Sequence, residues 1–347
     1  MNTTISNSEK LSLISNIGTM LEAGIPILEV VDSMLEETKG GQKIILENLK
    51  ADLNQGKTIA NSFEKFPKVF NPVIINLIRA AEESGTLDAT LKDITENIKK
   101  EAEFSDKIKA ALVYPLLVVV IFLGVFLLIL TFVIPRVSTI FDRLRVNLPL
   151  PTKILIVISK TFLAHTAIII AGIIVLVVGL FFLYKIKRRL ILDAFFTLPL
   201  ISKLMKEIDL TRLSRNMSLL LASGIPITQA LELSQNVVTK KEVRRVVGEC
   251  KRLVSSGKKL SEGFKKEKGV IPSMMIRITE AGEKSGTLEK SMQNLAEYFD
   301  SQVSNHLKTL ATLFEPVLLI VIGILVGGVM LAIIAPIYGL ISQITTR

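Results

Sequence analysis

The stretch Gly56-Lys57-Thr58 has the residue order of a phosphate-binding Walker A loop, in which backbone amides and a lysine hold a nucleotide. That loop also requires a glycine five positions before its second glycine, and this chain has Ala51 there. A similar stretch, Gly257-Lys258-Lys259, lacks the hydroxyl that would bind Mg²⁺. We therefore interpret both stretches as a glycine helix end followed by a new helix. Any ATP hydrolysis must then come from a partner.

Four acidic side chains are the second candidate for chemistry: Glu82, Glu83, Glu280 and Glu283. Carboxylates bind hard cations, so a cation site is one interpretation of this group. Acids at helix ends are more often solvated, and we favour that interpretation. The same four residues are candidate contacts to a partner protein.

The remaining reactive residue types are few. A single cysteine, Cys250, rules out a disulfide framework. It lies in a Lys/Arg-rich stretch that would lower its pKa, but without a base partner an incidental thiol is the better interpretation. His165 and His306 are too far apart in sequence to form a metal pair at helical spacing. The sequence predicts no catalytic residue, no cofactor and no metal site, so it does not predict an enzyme.

A basic surface is predicted in the later polar part of the chain. Its members are Arg244, Arg245, Lys251, Arg252, Lys258, Lys259, Lys265, Lys266 and Lys268. No DNA- or RNA-binding module accompanies them, so nucleic acid is not the predicted partner. Acidic lipid or an acidic protein fits better. The candidate partner contacts on this surface are Arg244, Arg245, Arg252 and Lys259.

These side chains must be carried by a membrane protein. The chain has 347 residues, of which 49% are apolar, and its mean hydropathy is +0.49. Crossing a bilayer takes about 20 apolar helical residues. Three segments qualify as transmembrane helices: 112–134, 161–184 and 316–341.

The spans divide the rest of the chain into two polar domains, 1–111 and 185–315, with net charges of −4 and +9. Two spans separate the domains, so both lie on one side of the membrane. Eight basic residues flank the first two spans on the domain side, against five in the loop 135–160. The positive-inside rule therefore predicts cytoplasmic domains, with the loop and the tail 342–347 outside.

The chain is also a tandem repeat. Leu21-Glu22-Ala23-Gly24-Ile25-Pro26-Ile27 recurs 200 positions later as Leu221-Ala222-Ser223-Gly224-Ile225-Pro226-Ile227. The Gly-Lys stretch and the stretch Ser84-Gly85-Thr86-Leu87 recur 201 positions later. Each repeat consists of one polar domain and one span, so the unrepeated span 161–184 supplies the return crossing.

Glycine and proline punctuate the repeats as helix boundaries. Glycine is favoured just past a helix end and proline in a first turn. The predicted structural turns are Gly24, Pro26, Gly85, Gly224, Pro226 and Gly286. After the second turn of each repeat, apolar residues recur at steps of three and four, beginning at Leu87 and Leu288. We predict an all-α membrane protein with two tandem bundles of about six helices each and three transmembrane helices.

Several residues mark the spans. The candidate entry and kink residues are Tyr114, Pro115, Pro135, Glu315, Pro316 and Pro336. Gly323 and Gly327 have the small-xxx-small spacing of a close helix–helix contact. Ordinary glycine in a membrane helix is an equally good interpretation of that pair.

The ordered set of motifs resembles the inner-membrane platform proteins of type II secretion and type IV pilus assembly, the general secretion pathway F-type family. It comprises Leu-x-x-Gly-Ile-Pro-Ile twice, Glu-x-Ser-Gly-Thr-Leu at Glu82 and Glu283, Leu-Pro-Leu-Pro-Thr at 148–152 and Leu-Pro-Leu-Ile at 198–201. The resemblance covers nearly the whole chain.

The resemblance implies a non-enzymatic, multi-pass platform in the cytoplasmic (inner) membrane. Its implied partners are a cytoplasmic hexameric secretion or pilus ATPase, pilin or pseudopilin subunits, other inner-membrane assembly components, membrane lipid and further copies of itself. A small-solute transporter or channel subunit is the alternative, but the apolar core of no predicted span carries an Asp, Glu, Lys or Arg for an ion path. A membrane signalling enzyme is a third class, disfavoured by the incomplete Walker motif.

Overall fold

A computed structural model describes residues 3–144, 150–165, 179, 199–267 and 269–345, and this part of the chain is helical with no strand. The first repeat contains α1 Asn7–Glu22, α2 Ile27–Glu37, α3 Gly40–Asn54, α4 Ile59–Glu64, α5 Pro72–Ser84 and α6 Leu87–Leu128. A π-helical segment Ile129–Val133, α7 Ile134–Leu144 and α8 Leu150–Ala164 follow. The second repeat contains α9 Pro199–Ala222, α10 Ile227–Gln235, α11 Lys241–Ser255, α12 Leu260–Lys266, α13 Ser273–Ser285 and α14 Leu288–Thr345. The predicted all-α class with two tandem helical domains is confirmed.

The helices form two compact units. Met1–Lys107 and Leu200–Ser304 make up the first, called the bundle unit here, and Ile108–Pro199 and Asn305–Arg347 make up the second, the apolar unit. Most of both predicted polar domains thus lies within the bundle unit. Buried residues from both repeats also belong to one hydrophobic cluster. The two domains therefore share a core.

Helical periodicity explains which residues fill that core. Leu13 and Ile17 on α1 are buried, as are their repeat mates Leu213 and Met217 on α9. A step of four residues places both members of a pair on one helix face. The predicted apolar stripes on α6 and α14 are also confirmed: Leu91, Ile94, Ile98, Met292, Leu295, Phe299 and Val303 are buried.

Glycine in the left-handed conformation separates successive helices. Gly24 has φ +82° and Gly224 has φ +74°, and Gly85 and Gly286 have φ +72° and +71°. A side chain with a Cβ is strained there, whereas glycine is not. The proline of the first turn differs from expectation, because Pro26 immediately precedes the first helical residue of α2 instead of lying within its first turn.

Two helical stretches of the described chain are long and apolar enough to cross a membrane: Leu87–Thr139 and Leu288–Leu331. Only 11% and 6% of their most apolar windows are buried, unlike the core helix of a soluble protein. They contain the first predicted span and the first part of the third. Most of the predicted second span 161–184 lies outside the described residues, namely 166–178 and 180–184. The first four residues of that span, 161–164, are the last four residues of α8.

Pro135 accounts for the π-helical segment in the first of these stretches. Within the segment the hydrogen-bond step is five, since the Ile134 amide donates to the Ile129 carbonyl. At the same step the next amide would donate to the Leu130 carbonyl, but Pro135 has no N–H. The Ser159 hydroxyl on α8 donates to that carbonyl instead, at 2.6 Å, and Ser159 is buried. A neighbouring helix thus satisfies the backbone group that proline orphans.

Candidate partner-binding site at the junction of the repeats

Glu82 and Glu283 have the same structural role in the two repeats. The Glu82 carboxylate accepts the amide hydrogens of Ile59 (2.5 Å) and Ala60 (3.0 Å) at the start of α4. Glu283 accepts those of Leu260 (2.5 Å) and Ser261 (3.3 Å) at the start of α12. These amides directly follow the two Gly-Lys stretches. A carboxylate of the chain itself therefore occupies the place where a Walker A loop would bind phosphate.

The other two acids do not join them in a cluster. Glu280 pairs with Lys265 at 2.7 Å and Lys284 at 3.0 Å, and the hydrogen bonds from these lysines lower the pKa of Glu280 to about 2. Glu83 is exposed. In the part of the chain that the structure describes, no three His, Cys, Asp or Glu side chains are placed to hold a metal ion.

The Glu280 pair has a counterpart of opposite polarity in the first repeat. Arg79 on α5 pairs with Glu64 on α4 at 3.1 Å. The residues 201 positions later are Glu280 and Lys265, so acid and base have exchanged places. Each repeat thus ties the same two helices together with an ion pair.

The basic surface is partly engaged within the chain. Arg244 donates two hydrogen bonds to the Val238 carbonyl, at 3.2 and 2.6 Å. Arg245 forms a bidentate pair with Glu267 at 2.7 and 2.9 Å. Arg252 contacts Glu249 one turn away but stays 72% exposed. The exposed side chains left for a partner are Arg252, Lys258, Lys259 and Lys266; Lys268 lies outside the described residues.

Cys250 is a buried structural residue. It lies where α11 and α12 approach closely, and a Cβ added to Gly263 would lie 2.7 Å from its Sγ. Burial raises the pKa of Cys250 to about 12, and nearby Glu267 adds to this. The expectation that neighbouring basic residues lower its pKa is wrong, because desolvation of the thiolate outweighs them.

The junction of the two repeats contains an ion cluster centred on Arg215 of α9. Its guanidinium lies 3.1 Å from Glu101 of α6 and 3.5 Å from Asp300 of α14. It also stacks over the Phe104 ring, 5.3 Å from the centroid. The Arg215 side chain is only 12% exposed. One arginine therefore joins three helices from both repeats.

Two further pairs complete this cluster. Arg212 contacts Glu101 at 3.0 Å, and Lys107 contacts Asp300 at 3.0 Å. Lys107 and Asp300 lie close to the ends of the two segments that form the bundle unit. The cluster thus connects α6 to α14 over the last turns of both helices in this unit.

A cavity of about 450 Å³ lies beside the cluster, between α6, α9 and α14. Its charged lining residues are Asp93, Glu96, Lys100, Glu103, Lys107, Arg215, Glu297 and Asp300. Acids outnumber bases there, and burial raises the pKa of Asp93, with the nearby Glu96 charge adding to the effect. The cavity is a cleft between the repeats in which charged groups of both meet.

The sequence patterns predicted neither the ion cluster nor two buried carboxylates. Asp52 binds Lys57 at 3.1 Å and also pairs with Lys65. Asp209 accepts the amide hydrogens of Thr239 (2.9 Å) and Lys240 (2.6 Å), and burial raises the pKa of Asp209. Neither acid lies in a repeated motif, so the repeat gave no signal for them.

The span residues lie on the two long helices. Tyr114 and Glu315 are exposed, and both helices continue through Pro115 and Pro316. Pro336 also lies inside α14. A Cβ added at Gly323 or Gly327 would meet no described atom within 4 Å, so these glycines pack against no other described helix.

Comparison with known proteins agrees with the repeat. The model of the family "Type II secretion system (T2SS), protein F" matches residues 13–135 and 213–336, one polar domain with one apolar stretch each time. The type IV pilus assembly proteins PilC of Thermus thermophilus and Pseudomonas aeruginosa are 28% and 29% identical to this chain. The alignments cover 95% and 93% of this chain, and 82% and 87% of those proteins.

The type II secretion system protein F of Pseudomonas aeruginosa is 27% identical, over 96% of this chain and 83% of that protein. These relatives are named for pilus assembly and secretion, not for an enzymatic reaction. The two family matches together cover well over half of the chain and confirm the resemblance found in its motifs. The chain belongs to the type II secretion system protein F family.

Proposed function

We propose that this protein is the inner-membrane platform of a type IV pilus or type II secretion assembly machine. It couples a cytoplasmic hexameric ATPase to the assembly of pilin or pseudopilin subunits into a fibre. The observation that carries the proposal is helix continuity in both repeats. α6 and α14 each bear buried core residues of the bundle unit and then run without a break into an exposed apolar stretch.

The mechanism that fits this arrangement is mechanical. α6 and α14 stay helical through Pro115 and Pro316, each of which removes one backbone hydrogen bond. A continuous helix transmits a displacement or rotation along its axis. The ion cluster centred on Arg215 ties both long helices together, so a movement of one repeat is passed to the other. The ATPase supplies that movement, because the Walker motif of this chain is incomplete and Glu82 and Glu283 already occupy the amides that follow the Gly-Lys stretches. The apolar stretches contact lipid and other inner-membrane components. They then lift a pilin or pseudopilin subunit out of the bilayer.

The proposed topology predicts the results of reporter fusions. Fusions at positions near 60 and 260 should both report a cytoplasmic location, and a fusion near 145 an external one. The physical reason is that two spans separate the polar domains, with more basic residues on the domain side. An alkaline phosphatase and a fluorescent-protein reporter at each position provide opposite signals. Different compartments for positions 60 and 260 would contradict the parallel repeat.

The ATPase contact is predicted to use the exposed basic residues of the second repeat. The triple variant Arg252→Glu, Lys258→Glu and Lys259→Glu should weaken binding of the organism's own ATPase about tenfold at low salt. The effect should shrink at higher salt, since exposed charges are screened over about 8 Å at physiological ionic strength. Arg244 and Arg245 stay unchanged because they hold contacts within the chain.

The matched control changes the net charge equally on the first repeat, with Lys39→Glu, Lys43→Glu and Lys68→Glu, all exposed positions. Binding is measured with full-length protein in nanodiscs, and circular dichroism checks the helical content of every variant. Equal weakening by both triple variants would assign the effect to net charge alone. No binding by the unchanged protein in nanodiscs would refute the coupling to an ATPase.

A further inference from the structure

Each of the two helices that join the repeats has an equivalent helix in the other repeat, but only one helix of each equivalent pair is used in the contact. α5 of the first repeat contacts α10 of the second, and the Gln229 amide donates to Asn76 Oδ1 at 3.5 Å. The repeat mate of α5 is α13, and that of α10 is α2. Each repeat therefore has one face of each kind. Among the described residues no comparable contact joins α13 to α2, so these two faces are left over.

Burial distinguishes the used face of α5 from the unused face of its repeat mate α13. Val73 on α5 is 1% exposed, whereas its repeat mate Met274 on α13 is 44% exposed. Leu28 on α2 is 38% exposed. The exposed large apolar side chains that the structure describes in the bundle unit are Leu28, Ile44, Met274 and Tyr298. Half of them lie on the two unused faces, which is where a missing partner would cover them.

The charges on the unused faces are complementary. The repeat mate of Asn76 is Arg277, and that of Gln229 is Glu29. Both are exposed. Asn76 and Gln229 form a neutral hydrogen bond within the chain. The equivalent positions therefore carry a basic residue on α13 and an acidic residue on α2. The domains that bear them have net charges of +9 and −4, so the long-range attraction between them has the same sign.

We infer that a second copy of this chain docks the α2 face of its first repeat onto the α13 face of the second repeat. Arg277 and Glu29 of different copies then form an ion pair where Gln229 and Asn76 of one chain form a hydrogen bond, and Met274 and Leu28 are covered. The contact is head to tail. Two copies make this contact twice and close into a ring in which first and second repeats alternate.

The ion cluster centred on Arg215 keeps the two kinds of contact distinct. At the positions equivalent to Arg212, Arg215 and Glu101 the chain has neutral residues, namely Ser12, Ser15 and Gln302. At those equivalent to Lys107 and Asp300 it has two lysines, Lys308 and Lys99. The contact between copies therefore lacks the ion cluster and is weaker than the contact within one chain. The faces that meet within one chain therefore do not replace those that meet between copies.

Disulfide cross-linking tests the contact directly. The single variants Glu29→Cys and Arg277→Cys are purified at full length, reconstituted into liposomes alone or mixed, and oxidised. A head-to-tail contact predicts a covalent dimer in the mixture, at least about fivefold above either variant alone. Buried Cys250 is the same in all samples. Asn76→Cys with Gln229→Cys in one chain is the positive control, since it should close a bond within the chain. Ile44→Cys mixed with Arg277→Cys is the negative control.

Charge reversal tests the ion pair in the chain without added cysteines. Glu29→Arg or Arg277→Glu alone should weaken self-association about five- to tenfold, and the double exchange should restore it to within about twofold. Fluorescence energy transfer between labelled copies in liposomes measures this self-association.

A mixture of the cysteine variants that cross-links no better than either variant alone overturns the proposal. So does self-association that neither single reversal changes. Circular dichroism confirms that these exposed substitutions leave the fold intact.

Discussion

Replacing Arg215 with methionine is expected to lower the melting temperature of the full-length protein by about 4–8 °C, which corresponds to about 2 kcal/mol. Methionine keeps the length and apolar stem of arginine but removes the charge that bridges Glu101 and Asp300. Removing one partner of a largely buried ion pair leaves the other desolvated and uncompensated. Since Glu101 and Asp300 retain some exposure, the cost stays below that of a fully buried pair.

The matched control is Arg252→Met, which removes an arginine from an exposed pair and should change stability by less than about 0.5 kcal/mol. A double-mutant cycle with Glu101→Gln isolates the Arg215–Glu101 contribution. Hydrogen exchange should also quicken along α6 and α9 but not along α3. If the Arg215→Met variant has the same melting temperature as the unchanged protein, the cluster does not hold the repeats together.

The position of this cluster matters for the proposed function. α6 and α14 each extend from the shared core into an apolar stretch, and the Lys107–Asp300 pair joins them near the limit of the bundle unit. A force applied to one repeat therefore reaches both long helices. Loss of Arg215 should accordingly reduce pilus or fibre assembly before it reduces binding of the ATPase, which is predicted to use Arg252, Lys258 and Lys259.

Local signals predicted most of the helices and little of the contact between them. Gly85 and Gly286 end helices because their backbone is left-handed, and the repeated Ser-Gly-Thr-Leu stretch that contains each glycine is visible in the sequence. The Glu101–Arg212 pair joins residues 111 positions apart. Neither position belongs to the repeated motifs, so no pattern marked the two as neighbours.

Two features of the candidate site were present in the sequence but were interpreted separately. The Gly-Lys stretches and the Glu-x-Ser-Gly-Thr-Leu motifs recur at the same offset, and the structure brings them together through Glu82 and Glu283. The basic surface was predicted to contact a partner through Arg244 and Arg245 as well as Arg252 and Lys259. Arg244 instead turns back to the Val238 carbonyl, because a long side chain can satisfy a backbone group near its own helix.

Glu283→Ala is expected to destabilise the protein by about 2–3 kcal/mol, because it removes a charged acceptor from two buried backbone amides. Leu260 and Ser261 are both buried, so water cannot readily replace the carboxylate. Glu82→Ala removes the equivalent acceptor in the first repeat. Glu82→Ala should destabilise the protein by about 1 kcal/mol less than Glu283→Ala does, because the Thr58 side chain still caps α4 at the Asn61 amide. Lys259 offers α12 no side-chain cap.

Glu283→Gln separates the charge from the hydrogen bonds, because its amide oxygen can still accept one of the two backbone hydrogens. We expect it to retain about half of the stability that Glu283→Ala loses. The exposed neighbour of Glu82 provides the control, and Glu83→Ala should change stability by less than about 0.5 kcal/mol. Denaturant unfolding of the full-length variants, followed by circular dichroism, measures all four. Should Glu283→Ala unfold at the same denaturant concentration as Glu83→Ala, the carboxylate is not what holds the start of α12.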